Sequence, residues 1–547
     1  MADLGIDPTF TALPYRKLAE AALTRVRDFG VTHADFRFER VRYQDLSVRD
    51  DVLQDASEFE DLGFAVRVVH HGAWGFAAGV HLTTDQAIRI AEEAVSVALV
   101  AAEMTSRPIE LASEPVHDDV TWCSAYEVNP FDVPTGDKAA VLVDWTRRLR
   151  AHEVVEHATA TLLQVQENKY YADLAGTRTT QQRVRLQPHF EAMGSNPTTG
   201  VFDSMASIAP PTGHGWEFVT DQLHDFDAEL AEVPGLLADK LAAPSVQAGT
   251  YDLVIHPSNL WRTIHESSGH ATELDRALGY EANYAGTSFA TVDQLGTLQY
   301  GSPVMYVTGD RTVPHGLATI GYDDEGVETQ SWDIVRDGVL VGYQLDRPMA
   351  AMMPELNDGR SNGCAYADSP GHIPIQRMAN VSLQAADDGP GTDELISRVE
   401  RGLYVVGDKS WSLDMQRFNF QFTGQRFFLI EDGEVTGQVR DVAYQATTTD
   451  FWNSLEAVGG PDTWQLHGAF NCGKAQPGQV ASVSHGAPTS LFRDVRNLNT
   501  TEEAGHLCPP PHPRTWSSTP SPPAPATTAS SSRVRPRPPT CAGPTTR

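Results

Sequence analysis

Cysteine, basic residues and long apolar runs are all scarce in this chain of 547 residues. Its five cysteines are widely spaced and odd in number, which does not suit a disulfide framework and favours a reducing compartment. The 41 Lys and Arg residues against 72 Asp and Glu residues give a formal net charge of −31, which argues against nucleic acid or an anionic membrane as a partner. No apolar run is long enough to cross a bilayer, and the first residues lack a secretory signal. We therefore expect a cytoplasmic protein.

The remaining composition is that of an ordinary globular protein, with 41% hydrophobic and 21% charged residues. We expect an α+β fold in four segments: an N-terminal α+β domain like an α/β sandwich (1–112), a middle α+β region (113–245), a strand-rich, mostly antiparallel C-terminal domain (246–507) and a tail (508–547). The tail is rich in Pro, Ser, Thr and Arg and has too few aliphatic residues to offset its ordering entropy, so we expect disorder there.

Local patterns predict several elements of this fold. Apolar spacing predicts one helix that begins after Pro14 and another that begins near Thr84. Residues 63–77 read as a hairpin that turns near Gly72. Asp337-Gly338 and Asp432-Gly433 each indicate a further hairpin, because Asp-Gly favours a tight turn between strands.

The most informative stretch is the hexapeptide His265-Glu266-Ser267-Ser268-Gly269-His270, which follows a predicted strand at 251–255. At about 100° per residue, histidines five positions apart on a regular helix point ~140° apart and cannot share one metal ion. A π-bulge or a break would bring the two imidazoles together. Ser and Gly suit such a distortion, because Gly tolerates unusual dihedrals and Ser competes for backbone hydrogen bonds. The sequence therefore predicts one bulged metal-binding helix in the C-terminal domain.

A catalytic zinc commonly takes three protein ligands and leaves one position for water, so a third ligand is needed. The residues alone leave it open, and the candidates are His256, His315, His372, His467, His485, Cys364 and Cys472. Cys472 has the most suggestive setting, since Gly473 permits close backbone approach and Lys474 would favour the thiolate. A lone cysteine is nevertheless more often a buried, inert thiol.

The run from His265 to Arg276 resembles the signature of the TldD/PmbA family of metallopeptidases, in its catalytic TldD branch. The resemblance extends from about Leu18 to Gly505 and excludes the tail. Further segments resemble the family in the same order: Ala65–Val68 with Trp74–Ala77, Gly286-Thr287-Ser288, Asp323-Asp324-Glu325-Gly326, Arg377-Met378-Ala379-Asn380 and Cys472-Gly473-Lys474.

The resemblance implies that His265, His270 and Cys472 hold Zn²⁺ and that Glu266 is the catalytic base. It also implies cleavage of short or unfolded peptides, together with a related subunit that lacks the motif, as in a TldD/TldE-like heterodimer. A homodimer is the alternative assembly. The group that stabilises the oxyanion stays open, with four candidates: Tyr280, Tyr284, His315 and Arg377.

Three other functions are compatible with these residues. The chain could be a non-catalytic structural or interaction subunit of the same fold, although the intact motif argues against this. The second alternative is a protein with a purely structural zinc. A closed structural zinc site usually has four protein ligands, however, and only three good candidates are present. A zinc amidase would use the same chemistry, because metal-activated water attacks either kind of amide.

Overall fold

The structure is a computed structural model that describes residues 5–221 and 223–504. The described residues through Thr501 form one compact unit, to which the following description applies. The predicted tail at 508–547 lies outside the described residues. Within the described ranges no helix is both long enough and apolar enough to cross a membrane.

The α-helices of the described residues are mostly short. They are α1 Pro8–Thr11, α2 Tyr15–Arg27, α3 Thr84–Ala102, α4 Thr135–Arg150, α5 Glu217–Thr220, α6 Phe226–Ala242, α7 Pro257–Ile264, α8 Leu274–Ala277, α9 Arg347–Met352, α10 Thr392–Ser397, α11 Thr448–Asn453 and α12 Thr500–Ala504. Single 3₁₀ turns occur at Pro130–Asp132, His270–Thr272, Val292–Gln294, Asn357–Gly359 and Pro461–Thr463.

Strands dominate both halves of the chain. They are β1 His33–Arg49, β2 Val52–His70, β3 Ala73–Gly79, β4 Val120–Cys123, β5 His157–Asp173, β6 Arg178–Ser195, β7 Phe202–Ala206, β8 Gly249–Ile255, β9 Val307–Asp310, β10 Ser331–Arg336, β11 Val339–Leu340, β12 Ala365–Tyr366, β13 Ile375–Gln376, β14 Asn380–Leu383, β15 Arg401–Leu413, β16 Asn419–Glu431, β17 Glu434–Val439, β18 Val442–Thr447, β19 Leu455–Val458, β20 Gln465–Lys474, β21 Gln479–Ala487 and β22 Ser490–Asn499.

The first half is built on one seven-stranded sheet in the order β3-β2-β1-β5-β6-β4, with β7 paired to β6. Helices α2 and α3 cover one end of its apolar face, where Phe36 and Phe38 of β1 are buried. Helices α4 and α6 cover the other end of the same face, where Leu46 and Val48 are buried. These four side chains share one face of β1, because residues two positions apart point to the same side of a strand, and polar side chains at positions 40, 42 and 44 separate the two apolar ends.

The opposite face of this sheet is charged and receives the second half of the chain. Arg67 Nη1 lies 3.0 Å from Glu325 Oε1, and Lys169 Nζ lies 2.7 Å from Asp324 Oδ2. Both pairs are almost fully buried. The acidic segment that resembles the family therefore joins the halves of the molecule, since a buried charge requires a partner.

The second half contains a closed barrel of five strands, in which β15, β8, β22, β18 and β16 pair in turn and β16 pairs back to β15. The β8–β15 pair is parallel and the other four pairs are antiparallel. Its core includes Leu253, Leu403, Phe422 and Phe492. A separate β20–β21 hairpin packs against α7, which follows β8. Another sheet has the order β11-β10-β9-β14.

The structure confirms the predicted α+β class, with a strand-rich, mostly antiparallel C-terminal part. The predicted hairpin turns lie between β2 and β3, β10 and β11, and β16 and β17. Strands from residues 33–79 and 157–206 share one sheet, so the first two predicted segments are joined by strand pairing. The predicted boundaries at 112, 245 and 507 stay predictions.

Candidate metal centre

The hexapeptide begins where α7 ends, and it does not continue as a regular α-helix. Residues His265–Gly269 form a π-helical turn, in which the His270 N–H donates to the His265 carbonyl five residues earlier. A 3₁₀ turn at His270–Thr272 follows. The distortion that the histidine spacing predicts is therefore confirmed, and it takes the form of a π-bulge.

The backbone carbonyl oxygens of this turn accept hydrogen bonds from side chains. The donors are Tyr300 Oη to Ser267 O, Thr272 Oγ1 to Ser268 O at 2.7 Å, and Gln344 Nε2 to Gly269 O at 2.7 Å. The Ser267 hydroxyl donates to Thr263 O and accepts from Trp452 Nε1 at 2.9 Å. These bonds offset the cost of leaving the regular helical pattern, because a buried carbonyl without a partner is unfavourable.

Gly269 is required for space rather than for an unusual backbone conformation. Its φ of −61° and ψ of −63° are ordinary right-handed values, so the expectation that glycine serves here through its dihedrals was wrong. A Cβ at this position would lie 2.5 Å from Met378 Sδ and 3.5 Å from His485 Cε1. The glycine therefore allows two other segments to pack directly against the turn.

The structure brings together the three residues that were predicted to hold a metal. The rings of His265 and His270 have centroids 4.7 Å apart, and Cys472 Sγ lies 3.4 Å from His270 Nε2. One donor atom from each residue lies within 4.8 Å of the other two. Donors around a tetrahedral zinc are about 3.3–3.8 Å apart, so a small contraction would seat the ion. Two imidazoles and one thiolate also suit such an ion chemically.

Hydrogen bonds fix the orientation of His265. Its Nδ1 lies 2.7 Å from His485 Nε2, and His485 Nδ1 lies 2.7 Å from the carbonyl oxygen of Val381. A carbonyl only accepts, so His485 Nδ1 carries a proton and its Nε2 accepts from His265 Nδ1. Burial holds the pKa of His485 down at about 3 and that of His265 well below its ordinary value, so both rings are neutral. The lone pair of His265 therefore lies on Nε2.

A buried carboxylate orients His270 in the same way. Its Nδ1 donates to Glu273 Oε2 over 2.9 Å, which leaves the Nε2 lone pair directed towards Cys472. Glu273 also receives Arg276 Nε at 3.1 Å and Lys474 Nζ at 3.1 Å. A carboxylate–histidine pair of this kind is common behind metal ligands.

Lys474 does not act as the sequence suggested. Its buried ammonium is occupied by Glu273, Asp275 and two oxygens of Gln376. Burial raises the pKa of the Cys472 thiol, and the nearby Arg377 guanidinium opposes that rise. The expectation that Lys474 favours the thiolate was therefore wrong; a metal ion would deprotonate the thiol directly.

Glu266 lies beside these three residues and is only 7% exposed. Burial raises the pKa of its carboxyl group, and the guanidinium of Arg417 opposes the rise. Arg417 Nε is 3.8 Å from Glu266 Oε2. Glu266 is not in the group of converging donors, as its position next to His265 on a helical turn predicts.

The other candidate third ligands have other contacts. The side chain of His256 caps α7 through Ser258 N, and His467 Nε2 lies 3.0 Å from Gln465 Oε1. His372 pairs with Asp368, His315 stacks on His214, and burial raises the pKa of Cys364 to about 12. His485 supports His265 from behind instead of converging with Cys472.

The four oxyanion candidates fit that role poorly. Tyr280 and Tyr284 are largely exposed, and His315 stacks on a ring outside the metal centre. Arg377 donates to the backbone carbonyls of Cys472 and Gln479, so its guanidinium clamps the β20–β21 hairpin. Sequence reasoning missed Glu273 and Arg417, and it considered His485 only as a possible third ligand. Glu273 had a visible signal, because it lies three residues after His270 on a predicted helix.

Two family models match the chain. The PmbA/TldA metallopeptidase C-terminal domain matches residues 248–497, and metallopeptidase domain 1 of the same family matches residues 34–98. A metalloprotease of Methanothermobacter thermautotrophicus is 27% identical over 469 residues, covering 85% of this chain and 95% of that protein. A zinc metalloprotease TldD homolog of Saccharolobus solfataricus is 21% identical, covering 85% of this chain and 96% of its own length.

Solved structures show the same fold. TldE from Thermococcus kodakarensis superposes with a TM-score of 0.63 at 17% identity, over 88% of this chain and 99% of its own. A Thermotoga maritima protein, described as a candidate modulator of DNA gyrase, has a TM-score of 0.69 at 14% identity, over 88% of this chain and all of its own. From the two matched domains, the relatives and this fold, we conclude that the chain belongs to the PmbA/TldD family of metallopeptidases.

Proposed function

We propose that this protein is a zinc-dependent peptidase in which His265, His270 and Cys472 hold the metal and Glu266 is the general base. The observation that carries the proposal is the convergence of these three donors within 4.8 Å, beside a buried carboxylate. Three protein ligands leave one coordination position for water, as in catalytic zinc sites. The zinc metalloprotease among the relatives supports the choice of metal.

Each side chain of the centre has a separate role in the proposed reaction. A zinc ion held there supplies a Lewis acid, which makes water acidic enough to lose a proton near neutral pH and polarises a carbonyl. Glu266 takes that proton and passes it to the leaving nitrogen. His485 and Glu273 orient the two imidazoles through their Nδ1 hydrogen bonds, and burial keeps both rings neutral.

The substrates that we propose are short or unfolded peptides. All three metal-binding residues are at most 5% exposed, so a folded protein surface would not reach them. Within the described residues, β20 pairs with β21 alone, and its outer edge lines a cavity of about 310 Å³ together with Trp261 and Arg262. An extended peptide could pair with such an edge through backbone hydrogen bonds, independently of its sequence.

The assembly that we propose is a two-subunit complex with a related TldE/PmbA-like chain, with a homodimer as the alternative. The likeness to the Thermococcus TldE fold supports a partner of the same architecture. We place this complex in the cytoplasm, and we propose neither a nucleic-acid nor a membrane partner, in keeping with the net charge of −31.

Metal analysis and one substitution test the function. We expect one zinc per chain by mass spectrometry, and we expect Glu266→Gln to retain that zinc while losing hydrolysis of unfolded peptides. Glu355→Gln changes an exposed carboxylate in the same way and is the matched control, with full activity expected. A fully active Glu266→Gln enzyme would show that the base is another group.

The same assays separate the rival functions. A chain that binds zinc but cleaves no peptide, even when co-expressed with a related subunit, would be a non-catalytic component. A chain that cleaves small amides and no peptides would be an amidase. The retained metal-binding residues and Glu266 argue against a non-catalytic component, and the metalloproteases among the relatives favour a peptidase over an amidase.

A further inference from the structure

The loop between β15 and β16 carries Arg417, to which the proposed reaction assigns no role. Asp414 organises this loop, since its carboxylate accepts from the backbone N–H groups of Gln416, Phe418 and Asn419. Arg417 adopts a left-handed backbone conformation with φ +63°. This conformation is uncommon for a residue other than glycine, and such residues concentrate at functional sites.

The backbone around Arg417 is held from several sides. Thr448 Oγ1 donates to Arg417 O over 2.7 Å. Thr287 N donates to Met415 O over 2.9 Å, and Gly286 approaches that same carbonyl so closely that a Cβ would lie 1.8 Å from it. The family-like segment at 286–288 therefore fixes the position of the arginine loop.

The guanidinium of Arg417 points into the metal centre. Its side chain is 12% exposed, and its Nε lies 3.8 Å from Glu266 Oε2. Burial and Arg276 lower the pKa of Arg417, and the acidic groups that oppose this shift are Glu266, Glu273 and Cys472, all of which belong to the centre. Arg417 is thus the cation that faces the proposed base.

Arg417 is also the least occupied guanidinium near the centre. Arg276 binds Glu273 and the carbonyl of Ala285, Arg377 binds two backbone carbonyls, and Arg262 binds Asp408 through two nitrogens. Among the described residues, the hydrogen bond of the Arg417 side chain is one of 3.3 Å to Asp414 O, and its buried Nε has no hydrogen-bond partner. A buried donor without a partner is costly and calls for an explanation.

We propose that Arg417 is a catalytic residue that donates hydrogen bonds to the oxyanion formed from the scissile carbonyl. This inference rests on the proposed peptidase function. Glu266 removes a proton from water, the water oxygen bonds to the carbonyl carbon, and the π electron pair moves onto the carbonyl oxygen. The N–H groups of Arg417 stabilise that negative oxygen. When the pair returns, the C–N bond breaks and the nitrogen receives the proton from Glu266.

The test uses the zinc-loaded full chain, a quenched fluorescent decapeptide and a phosphinic peptide of the same sequence, whose anionic tetrahedral group imitates the oxyanion. Arg417→Asn removes the guanidinium, and Asn tolerates the left-handed backbone. We expect zinc content and the thermal unfolding midpoint to be unchanged, KM to change less than about threefold and kcat to fall about 10²–10³-fold. The affinity for the phosphinic peptide, measured by calorimetry, should fall by a similar factor.

Two further variants and the metal-free protein serve as controls. Arg417→Lys keeps the charge and should recover part of kcat. Arg398→Gln removes an exposed arginine outside the metal centre, whose partner is Glu394, and should change kcat less than about threefold. Phosphinic-peptide binding to the metal-free protein should also weaken in Arg417→Asn, because the guanidinium contacts the anion itself.

Equal affinity of the wild type and Arg417→Asn for the phosphinic peptide would overturn the proposal. A rise in KM with unchanged kcat would also overturn it, since Arg417 would then bind the ground state of the substrate. If the wild type cleaved no peptide, the proposed function would fail, yet the binding comparison would still decide whether Arg417 holds the anion.

Discussion

His265 Nδ1 and His485 Nε2 lie 2.7 Å apart, although 220 positions separate the two residues in the chain. The bond joins the π-turn to β21 of the hairpin that also carries Cys472. Because His485 is itself fixed by the Val381 carbonyl, the direction of the His265 lone pair depends on β14 and β21 as well as on the hexapeptide. In the proposed metal centre, the hairpin therefore supplies one ligand and orients another.

Two replacements of His485 distinguish the effect of its hydrogen bonds on zinc binding from the effect of its packing volume. We expect His485→Leu to weaken zinc binding about 10–100-fold, since the loss of a partner behind a metal ligand has effects of that size. His485→Gln should retain most of the affinity, because its amide can accept from His265 Nδ1 and donate to Val381 O. Competition with a chromogenic chelator measures both values. Equal affinities in the two variants would show that only packing matters.

Cys364 and Cys472 are both buried in the described part of the C-terminal half, and we expect opposite results from replacing them with serine. Cys472→Ser should lose zinc, because serine replaces the thiolate with a weaker ligand. Cys364→Ser should keep one zinc per chain, since Cys364 lies outside the group of converging donors. Metal content by mass spectrometry decides between them, and zinc lost from Cys364→Ser alone would move the third ligand there.

Replacing Gly286 with alanine tests whether Gly286 holds the loop that carries Arg417 in position. Alanine there would combine a left-handed φ of +84° with a Cβ 1.8 Å from Met415 O, so the loop must move. We expect kcat/KM to fall at least about 10²-fold, the size of effect that a displacement of about 1 Å produces. Gly279→Ala is the matched control, since Gly279 has a φ of +87° and open space around its Cβ position. A comparable loss in both variants would indicate backbone strain alone.

We expect the free energy of unfolding to depend on pH through the buried amine of Lys138. Its side chain is buried with Nζ 2.6 Å from Gln44 Oε1, and burial lowers the pKa of the amine to about 8. The unfolded chain, with an ordinary pKa near 10.5, binds more protons between about pH 8 and 10.5, so this group raises stability as the pH rises through that window. The gain in the free energy of unfolding is at most about 3 kcal/mol, because a tenfold change in proton affinity corresponds to about 1.4 kcal/mol.

Lys138→Met removes this contribution. Gln44 Oε1 keeps a hydrogen bond from Gln164 Nε2 at 3.0 Å, so no buried acceptor is left without a partner. We expect the variant to be the more stable protein at pH 7 and to lose that advantage by pH 10, measured by urea unfolding midpoints. A difference that stays constant from pH 7 to pH 10 would contradict the lowered pKa.

Local features of the fold and of the centre could be predicted because they depend on near neighbours in the chain. The spacing of His265 and His270 requires a departure from 3.6 residues per turn, and the structure contains the π-turn that this spacing predicts. The hairpins at Gly72, Gly338 and Gly433 follow from turn residues with positive φ. The reason for Gly269 could not be predicted, since Met378, which approaches it, is more than a hundred positions away.

The amino-acid sequence by itself determined the bulged histidine pair, the carboxylate beside it and the α+β character, because each arises from periodicity over a few residues. Only the tertiary structure decided that Cys472 lies with the pair, that His485 and Glu273 stand behind the imidazoles, and that Arg417 faces Glu266. The closed barrel and the docked hairpin create those proximities. They arise from strand pairing and burial across more than a hundred residues, which no local pattern records.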